Sequence, residues 1–245
     1  MFGTRVLRSA MSSPYAYASK AKKILCVGRN YVDHIKELNS AHPQQPFYFL
    51  KPSSSILLPG QGAIQVPKGV NVHHELELAV IISKRLRNLD PESFTTKEAL
   101  DAIEGYALSL DLTARNVQNE AKKKGLPWSI SKGFDTFLPL SKFVPKSEIA
   151  DPHNVHLKLE VNGKATQDDN TNLMIFRLPQ LLAVMSQVMT LEPGDIILTG
   201  TPKGVGPLVP GDKVHGEMSV DGKKLDADLD FDVETEPGPY QYKET

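Results

Sequence analysis

The stretch from His74 to Ile82, reading HELELAVII, constrains the fold more than any other. Acidic and apolar residues alternate and then give way to a continuously apolar run, the pattern of a strand entering a core. Successive side chains of a strand leave opposite faces. Glu75 and Glu77 therefore share one face, while Leu76 and Leu78 anchor the other. Two carboxylates on one face repel unless something cationic sits between them.

Around this strand the remaining pattern is mixed and rich in β structure. Lys23 to Gly28 reads as a buried strand and Asn30 to Leu38 as a short helix, with Tyr31, His34, Ile35 and Leu38 at helical spacing. Phe47 to Leu50 is strand-like, and loops with short strands follow through Pro67. Thr95 to Ile103 is a helix with Glu98 near a capping-box position. A strand is expected over Tyr106 to Leu112, and a helix over Thr113 to Lys124 closed by Gly125. Val155 to Val161 ends at a hairpin turn, Asn162-Gly163. Leu178 to Met189 is an apolar helix opened by Pro179, and Asp195 to Leu198 a strand leading into the loop Thr199 to Gly206. Lys213 to Val220 and Leu225 to Val233 pair around Asp221-Gly222. The fold class is α+β, β-rich, in one domain without repeat or internal linker.

Charge and cysteine content exclude several partners. Twenty-eight Lys and Arg against 29 Asp and Glu leave a net charge of −1, without the basic excess of a polyanion binder. Nucleic acid is not an expected partner. The single cysteine, Cys26, rules out an internal disulfide and a cysteine-rich zinc site. No apolar stretch approaches the ~20 residues of a bilayer span, so membrane insertion is not expected. No Asp or Glu precedes Asp33, whereas Arg5, Arg8, Lys20, Lys22, Lys23 and Arg29 do, with Ser and Thr between them. Residues 1–21 read as a mitochondrial presequence, with a disordered basic tail as the plainer alternative. A matrix location follows from the first, a cytoplasmic one from the second. The catalytic domain is expected over 22–220, with 221–245 a C-terminal extension.

Three groups of residues carry chemistry. Asp111 ends the apolar strand after Tyr106, and its convergence with Glu75 and Glu77 would form a hard oxygen site for Mg²⁺ or Mn²⁺. The same spacing also fits a solvated strand face and an unrelated helix-capping aspartate. His34 and Glu37, three apart on a helix, can meet as an imidazole oriented by a carboxylate, or stand as a surface pair. Lys132 sits after a helix in a loop with few charges, where it either neutralises a bound carboxylate or is solvated. The Gly200–Gly206 loop lacks phosphate-loop and dinucleotide patterns, and no HExxH or GxSxG occurs. Asp226, Asp228, Asp230 and Asp232 read as the wet face of a strand.

In order and spacing, five segments resemble the fumarylacetoacetate hydrolase family. They are Gly28-Arg29-Asn30-Tyr31 with His34 and Glu37, His74 to Ile81, Asp111-Leu112-Thr113-Ala114-Arg115 with Gln118, Lys132 to Phe137, and Gly194 to Pro202. The run Lys122-Lys123-Lys124-Gly125-Leu126-Pro127-Trp128 is similar to the eukaryotic mitochondrial branch. The resemblance implies a mixed β-roll, a homodimer, and one divalent ion on Glu75, Glu77 and Asp111. It implies catalytic roles for His34, Glu37 and Lys132, with the first two on a mobile lid, and substrate contacts from Arg115, Gln118 and Thr201.

Substrates of that family are small 2-oxo dicarboxylic or 2,4-dioxo acids. The implied chemistry is an enolate stabilised by Mg²⁺, or Mn²⁺, acting as a Lewis acid. Oxaloacetate keto–enol tautomerisation is the expected activity, with acylpyruvate hydrolysis and oxaloacetate decarboxylation as alternatives at the same site. A catalytically silent metal-binding protein is the alternative outside enzymes.

Overall fold

In the computed structural model, which describes residues 13–37 and 41–245, the Leu76–Ile82 strand is buried along its whole length. It lies near the centre of a six-stranded sheet. The order is Val144–Pro145, Ile103–Leu110, Leu76–Ile82, Ile196–Leu198, Ile24–Gly28, Phe47–Lys51. Leu76 pairs with Leu110 and Val80 with Tyr106 in antiparallel register, and Ile24 pairs with Ile196 in parallel.

A second sheet of five main strands, Lys164–Asn170, His156–Val161, Lys213–Val220, Leu229–Thr235 and Ile64–Val66, packs against one face of the first. Leu76, Leu78, Val80 and Ile82 join Leu157, Leu159, Met218 and Leu229 in the larger core. Burying each such side chain contributes about 1.5–3 kcal/mol. Ala79 and Ile81 face the other way, into a smaller cluster with Ile24, Cys26 and Tyr17. The alternation expected from the sequence is thus realised, and the face opposite the main core is the one that bears Glu77.

Local signals act as expected. Thr95 and Glu98 form a reciprocal capping box on the helix Thr96–Asp101. Gly125, at φ 68°, closes the helix Arg115–Lys124, and Asn162-Gly163, at φ 54° and 76°, turns the hairpin. Several boundaries differ, among them the strand expected over Tyr106 to Leu112, which runs over Ile103–Leu110 and stops before Asp111, and three more bear on the site. The strand expected from His74 breaks at Glu75, between Val72–His74 and Leu76–Ile82, because the Leu76 N–H donates to Gln167 Oε1 (2.9 Å) rather than to a neighbouring strand. Thr113 and Ala114 pair as strand with Val72 and His73 before the helix starts at Arg115. Lys132 is not in a loop but ends the short helix Ser129–Lys132.

Ordered packing also runs beyond the expected 22–220 bounds. The Tyr17 hydroxyl donates to Ser141 O (2.7 Å) and its ring packs on Phe143, so the body begins before Lys22. At the other end, Leu229–Thr235 is an integral strand pairing with both Lys213–Gly216 and Ile64–Val66. Tyr242 and Thr245 then donate to the Glu120 carboxylate. The first twelve residues of the expected presequence lie outside the described residues. No helix among the described residues is long and apolar enough to cross a membrane.

Candidate active site

The break at Glu75 aims the site. One rung beyond the Leu76–Leu110 pair, the Asp111 N–H donates to Glu75 O (2.8 Å), which puts both side chains at the same end of the sheet. Glu77 follows on the same strand. Glu75, Glu77 and Asp111 are all buried, and one carboxylate oxygen from each lies within 4.8 Å of the others.

Cations hold two of the three acids. Lys132 Nζ donates to Glu75 Oε2 (3.0 Å) and Asp111 Oδ2 (2.7 Å), and Arg115 Nη2 donates to Glu75 Oε1 (2.5 Å). Although burial opposes its charge, Lys132 and Arg115 pull the Glu75 carboxyl well below the usual range. Among the described residues Glu77 has no such partner. Its Oε2 accepts the Gly200 N–H (2.6 Å), but burial first, then Asp111 and Glu75, push its carboxyl well up. Gly200 reaches it at φ 94° with Asn30 close behind, where a Cβ would meet the Asn30 Cβ at 2.7 Å. That position needs glycine.

Asp111 Oδ1 is buried and accepts no hydrogen bond from the described residues. A carboxylate oxygen that accepts no hydrogen bond, with only the Lys51 ammonium nearby, and an uncompensated Glu77, within reach of Glu75, make a hard-oxygen donor set that a divalent cation would complete. The residues present fit such an ion.

The other expected residues gather around this cluster. One pocket is lined by His34, Glu75, Glu77, Arg115, Gln118, Lys132 and Thr201, with Gly28, Arg29, Phe49, Lys122 and Trp128. His34 is buried, and burial holds its imidazole below the usual histidine range, so it is a neutral base near pH 7. Its Nδ1 lies 3.5 Å from Glu37 Oε2 without a hydrogen bond. Glu37 instead accepts the Gly204 N–H (2.8 Å) and stays exposed, outside the pocket wall. Residues 38–40, beyond it, lie outside the described residues.

Gln118 Oε1 accepts from Arg115 Nη1 (2.7 Å), which fixes the amide and leaves its NH₂ as a free donor among the described residues. Thr201 is less available. Its hydroxyl donates to Leu76 O (2.8 Å) and accepts from Gln167 Nε2 (2.8 Å).

Sequence reasoning missed Lys51, Gln167 and the aromatic wall. Lys51 is fully buried and donates to Leu112 O, Lys132 O and Phe137 O at 2.9, 2.7 and 2.9 Å. It thereby joins the segments that present Asp111 and Lys132. Phe49 lies under Lys132 (4.7 Å) and packs on Trp128 (ring centroids 5.5 Å apart), which lies under Lys122 (5.3 Å).

A family model for the fumarylacetoacetate hydrolase C-terminal domain matches residues 23–227. The chain belongs to the fumarylacetoacetate hydrolase family. Among its relatives, the Saccharomyces cerevisiae oxaloacetate tautomerase FMP41, mitochondrial, is 49% identical over 94% of this chain and 99% of its own. A Dictyostelium discoideum mitochondrial oxaloacetate decarboxylase is 49% identical over 86% of this chain and 94% of its own. The crystal structure of yeast ynq8, a protein of the same family, superposes at TM-score 0.85 with 48% identity, covering 94% of this chain and all of that one. Fumarylpyruvate hydrolase from Pseudomonas aeruginosa, crystallised with Mn²⁺ and pyruvate, superposes at TM-score 0.77 with 30% identity over 88% of this chain and 91% of its own.

Proposed function

We propose that this chain is a mitochondrial, divalent-metal-dependent oxaloacetate keto–enol tautomerase. The observation that carries the reading is the buried Glu75, Glu77 and Asp111 cluster, whose two glutamates line one pocket with Lys132 and His34. The chain around it is about half identical to a yeast protein named for this reaction.

Glu75, Glu77 and Asp111 would hold a Mg²⁺ or Mn²⁺ ion, which would supply Lewis-acid polarisation of the 2-oxo group. The Gln118 NH₂ and the Arg115 guanidinium hold the C1 carboxylate. Lys132 places a buried ammonium beside the oxygen on which negative charge develops. Converting the enol, the hydroxyl proton leaves for neutral His34 and is delivered to C3, so atoms and charge balance and no water is consumed. Glu37 favours the protonated imidazole in between. The hydroxyl of Thr201 braces Gln167 and the backbone of Leu76 and takes no part in this transfer.

Decarboxylation of oxaloacetate is the second reading, favoured by the name of the Dictyostelium relative. One preparation, assayed with Mg²⁺ and with EDTA, separates them. Loss of enol-oxaloacetate should proceed at the highest kcat/KM, exceed pyruvate release and acetylpyruvate cleavage, and collapse with EDTA. Faster pyruvate release would favour the decarboxylase, and no turnover of either substrate would refute the enzymatic reading. The homodimer belongs to the same proposal. Phe47 and Leu50, exposed on the edge strand of the central sheet, support it, and light scattering tests it. So does the mitochondrial address, which we assign to residues before Pro14, since cleavage at residue 21 would remove the packed Tyr17.

A further inference from the structure

Two cations at this pocket have no ion-pair partner among the described residues. Lys132 and Arg115, inside, are neutralised by Glu75 and Asp111. Arg29 and Lys122, which also line the pocket, form no ion pair and no hydrogen bond through their side chains among the described residues. Aromatic rings hold both instead. Lys122 Nζ lies 5.3 Å from the Trp128 ring centre, and the Arg29 guanidinium 5.8 Å from that of Phe47. Phe47 and Trp128 themselves pack edge to face at 5.1 Å. Such contacts fix a cation's position while leaving its hydrogen-bond donors unspent.

Position separates these cations from the reacting centre. Lys132 sits over Phe49, Phe49 packs on Trp128, and Lys122 sits over Trp128, so the two ammonium groups rest on different rings of one packed pair. Arg29 is held at φ 59°, a backbone state that few non-glycine residues adopt. Lys122 is exposed as a residue, and its ammonium is covered on one side by the Trp128 ring.

We infer that Lys122, seconded by Arg29, binds the carboxylate at the far end of the substrate, and so selects 2-oxo dicarboxylates over 2-oxo monocarboxylates. The inference rests on the proposed 2-oxo acid chemistry and adds a specificity determinant outside the proton-transfer and metal-binding residues. A carboxylate meeting two unpaired cations gains charge-assisted hydrogen bonds without having to displace an existing partner. A monocarboxylate of the same length leaves both donors to water.

Trp128 is the chain's only tryptophan, so its fluorescence reports occupancy of this wall without turnover. Titrating the Mg²⁺-loaded protein with oxaloacetate and with pyruvate, which differ by one carboxylate, reads the contribution of the far group. Lys122→Gln should raise the Kd for oxaloacetate about tenfold and leave that for pyruvate unchanged, since the far carboxylate loses one solvent-screened, charge-assisted hydrogen bond. Arg29→Gln should act in the same direction, and Lys122→Arg should stay within about threefold of wild type. An unchanged Kd for oxaloacetate in Lys122→Gln, or an equal rise for both ligands, would overturn the inference. Enol conversion measured on the same samples keeps the two questions apart. If the wild type catalyses nothing yet Lys122 still sets the difference between ligands, the tautomerase reading falls and the specificity role stands. If the wild type turns over and Lys122→Gln discriminates as it does, the reverse holds.

Discussion

Lys51 Nζ and Asp111 Oδ1 lie 3.0 Å apart, both buried, and no hydrogen bond joins them. The reason is stoichiometric. An ammonium has three protons, and Lys51 spends them on the carbonyls of Leu112, Lys132 and Phe137. It gives Asp111 the benefit of its charge while leaving the oxygen's lone pairs open. Lys51→Met keeps much of the volume but strands three carbonyls and an acid. The variant should lose about 3–5 kcal/mol of stability, as expected for a broken buried pair. Urea unfolding measures it, and a loss below about 1 kcal/mol would contradict the bracing role.

The open oxygen of Asp111 predicts a specific response to metal. Mg²⁺ at about a hundred times its Kd should stabilise the native wild type by ~2.7 kcal/mol through mass action. Asp111→Asn and Glu75→Gln should lose that Mg²⁺-dependent rise in Tm together with turnover. Thermal scans with Mg²⁺ and with EDTA make the comparison. A variant that kept both the rise and the activity would remove its residue from the ligand set.

His34 should separate chemistry from metal binding. His34→Ala is expected to lower kcat by ~10²–10⁴-fold, the span of a general acid–base contribution. The Mg²⁺-induced shift in Tm should persist. Glu37→Gln should cost about tenfold or less, because Glu37 is exposed and no hydrogen bond joins it to the ring. Single-turnover rates distinguish these outcomes, and an unchanged rate in His34→Ala would exclude it as the base.

The legible part of the site is the part set by strand periodicity. Glu75, Glu77 and Leu76, Leu78 could be assigned to opposite faces because a strand repeats every two residues, and the register with Leu110 then brings Asp111 alongside. His34 and Glu37 were readable as a helical pair for the same kind of reason, though their separation of 3.5 Å is set by tertiary packing. Lys51 was not readable. Its partners lie 61 to 86 residues away and are backbone carbonyls, which carry no side-chain signature. Gln167 was hidden likewise, since it breaks the His74–Ile82 strand from 91 residues downstream. The core of the fold was clear in apolar alternation, but the packed termini were not, because Tyr17 and Tyr242 are held by isolated contacts to residues far away in the chain.

A long-range cap gives the fold a pH-dependent element remote from the site. The Leu178 N–H, first in the helix Leu178–Val188, donates to His153 Nε2 (3.1 Å), while His153 Nδ1 faces Asp151 (3.2 Å). Only the neutral ring can accept, and burial, aided by Arg177 and opposed by Asp151, lowers its pKa from the usual histidine value. Because the folded pKa lies below the unfolded one, near 6.5, this contribution is complete above about pH 6.5 and is lost as pH falls through the folded pKa. His153→Gln, which keeps an acceptor and cannot titrate, should cost about 1 kcal/mol at pH 7.5 and flatten the decline in stability below pH 6.5. His34, His73 and His74 are shifted in the same direction, so the wild-type-minus-variant difference is the quantity to measure. An unchanged slope would remove His153 from the acid response.

Lys122 carries the corresponding expectation on the alkaline side. Partial burial first, then Arg115, Arg29 and Lys132, pull its ammonium down to about 8 against the opposing pull of Glu75. The charged form is the one that attracts a carboxylate, so affinity for the far group is present below about pH 8 and lost above it. Between pH 7 and pH 9 the Kd for oxaloacetate should rise by up to about tenfold while that for pyruvate stays level. Lys122→Arg, protonated throughout that range, should abolish the rise. Trp128 fluorescence titrations across the range provide the measurement. A parallel rise for both ligands would place the titrating group at the metal-binding end of the pocket and away from its outer wall.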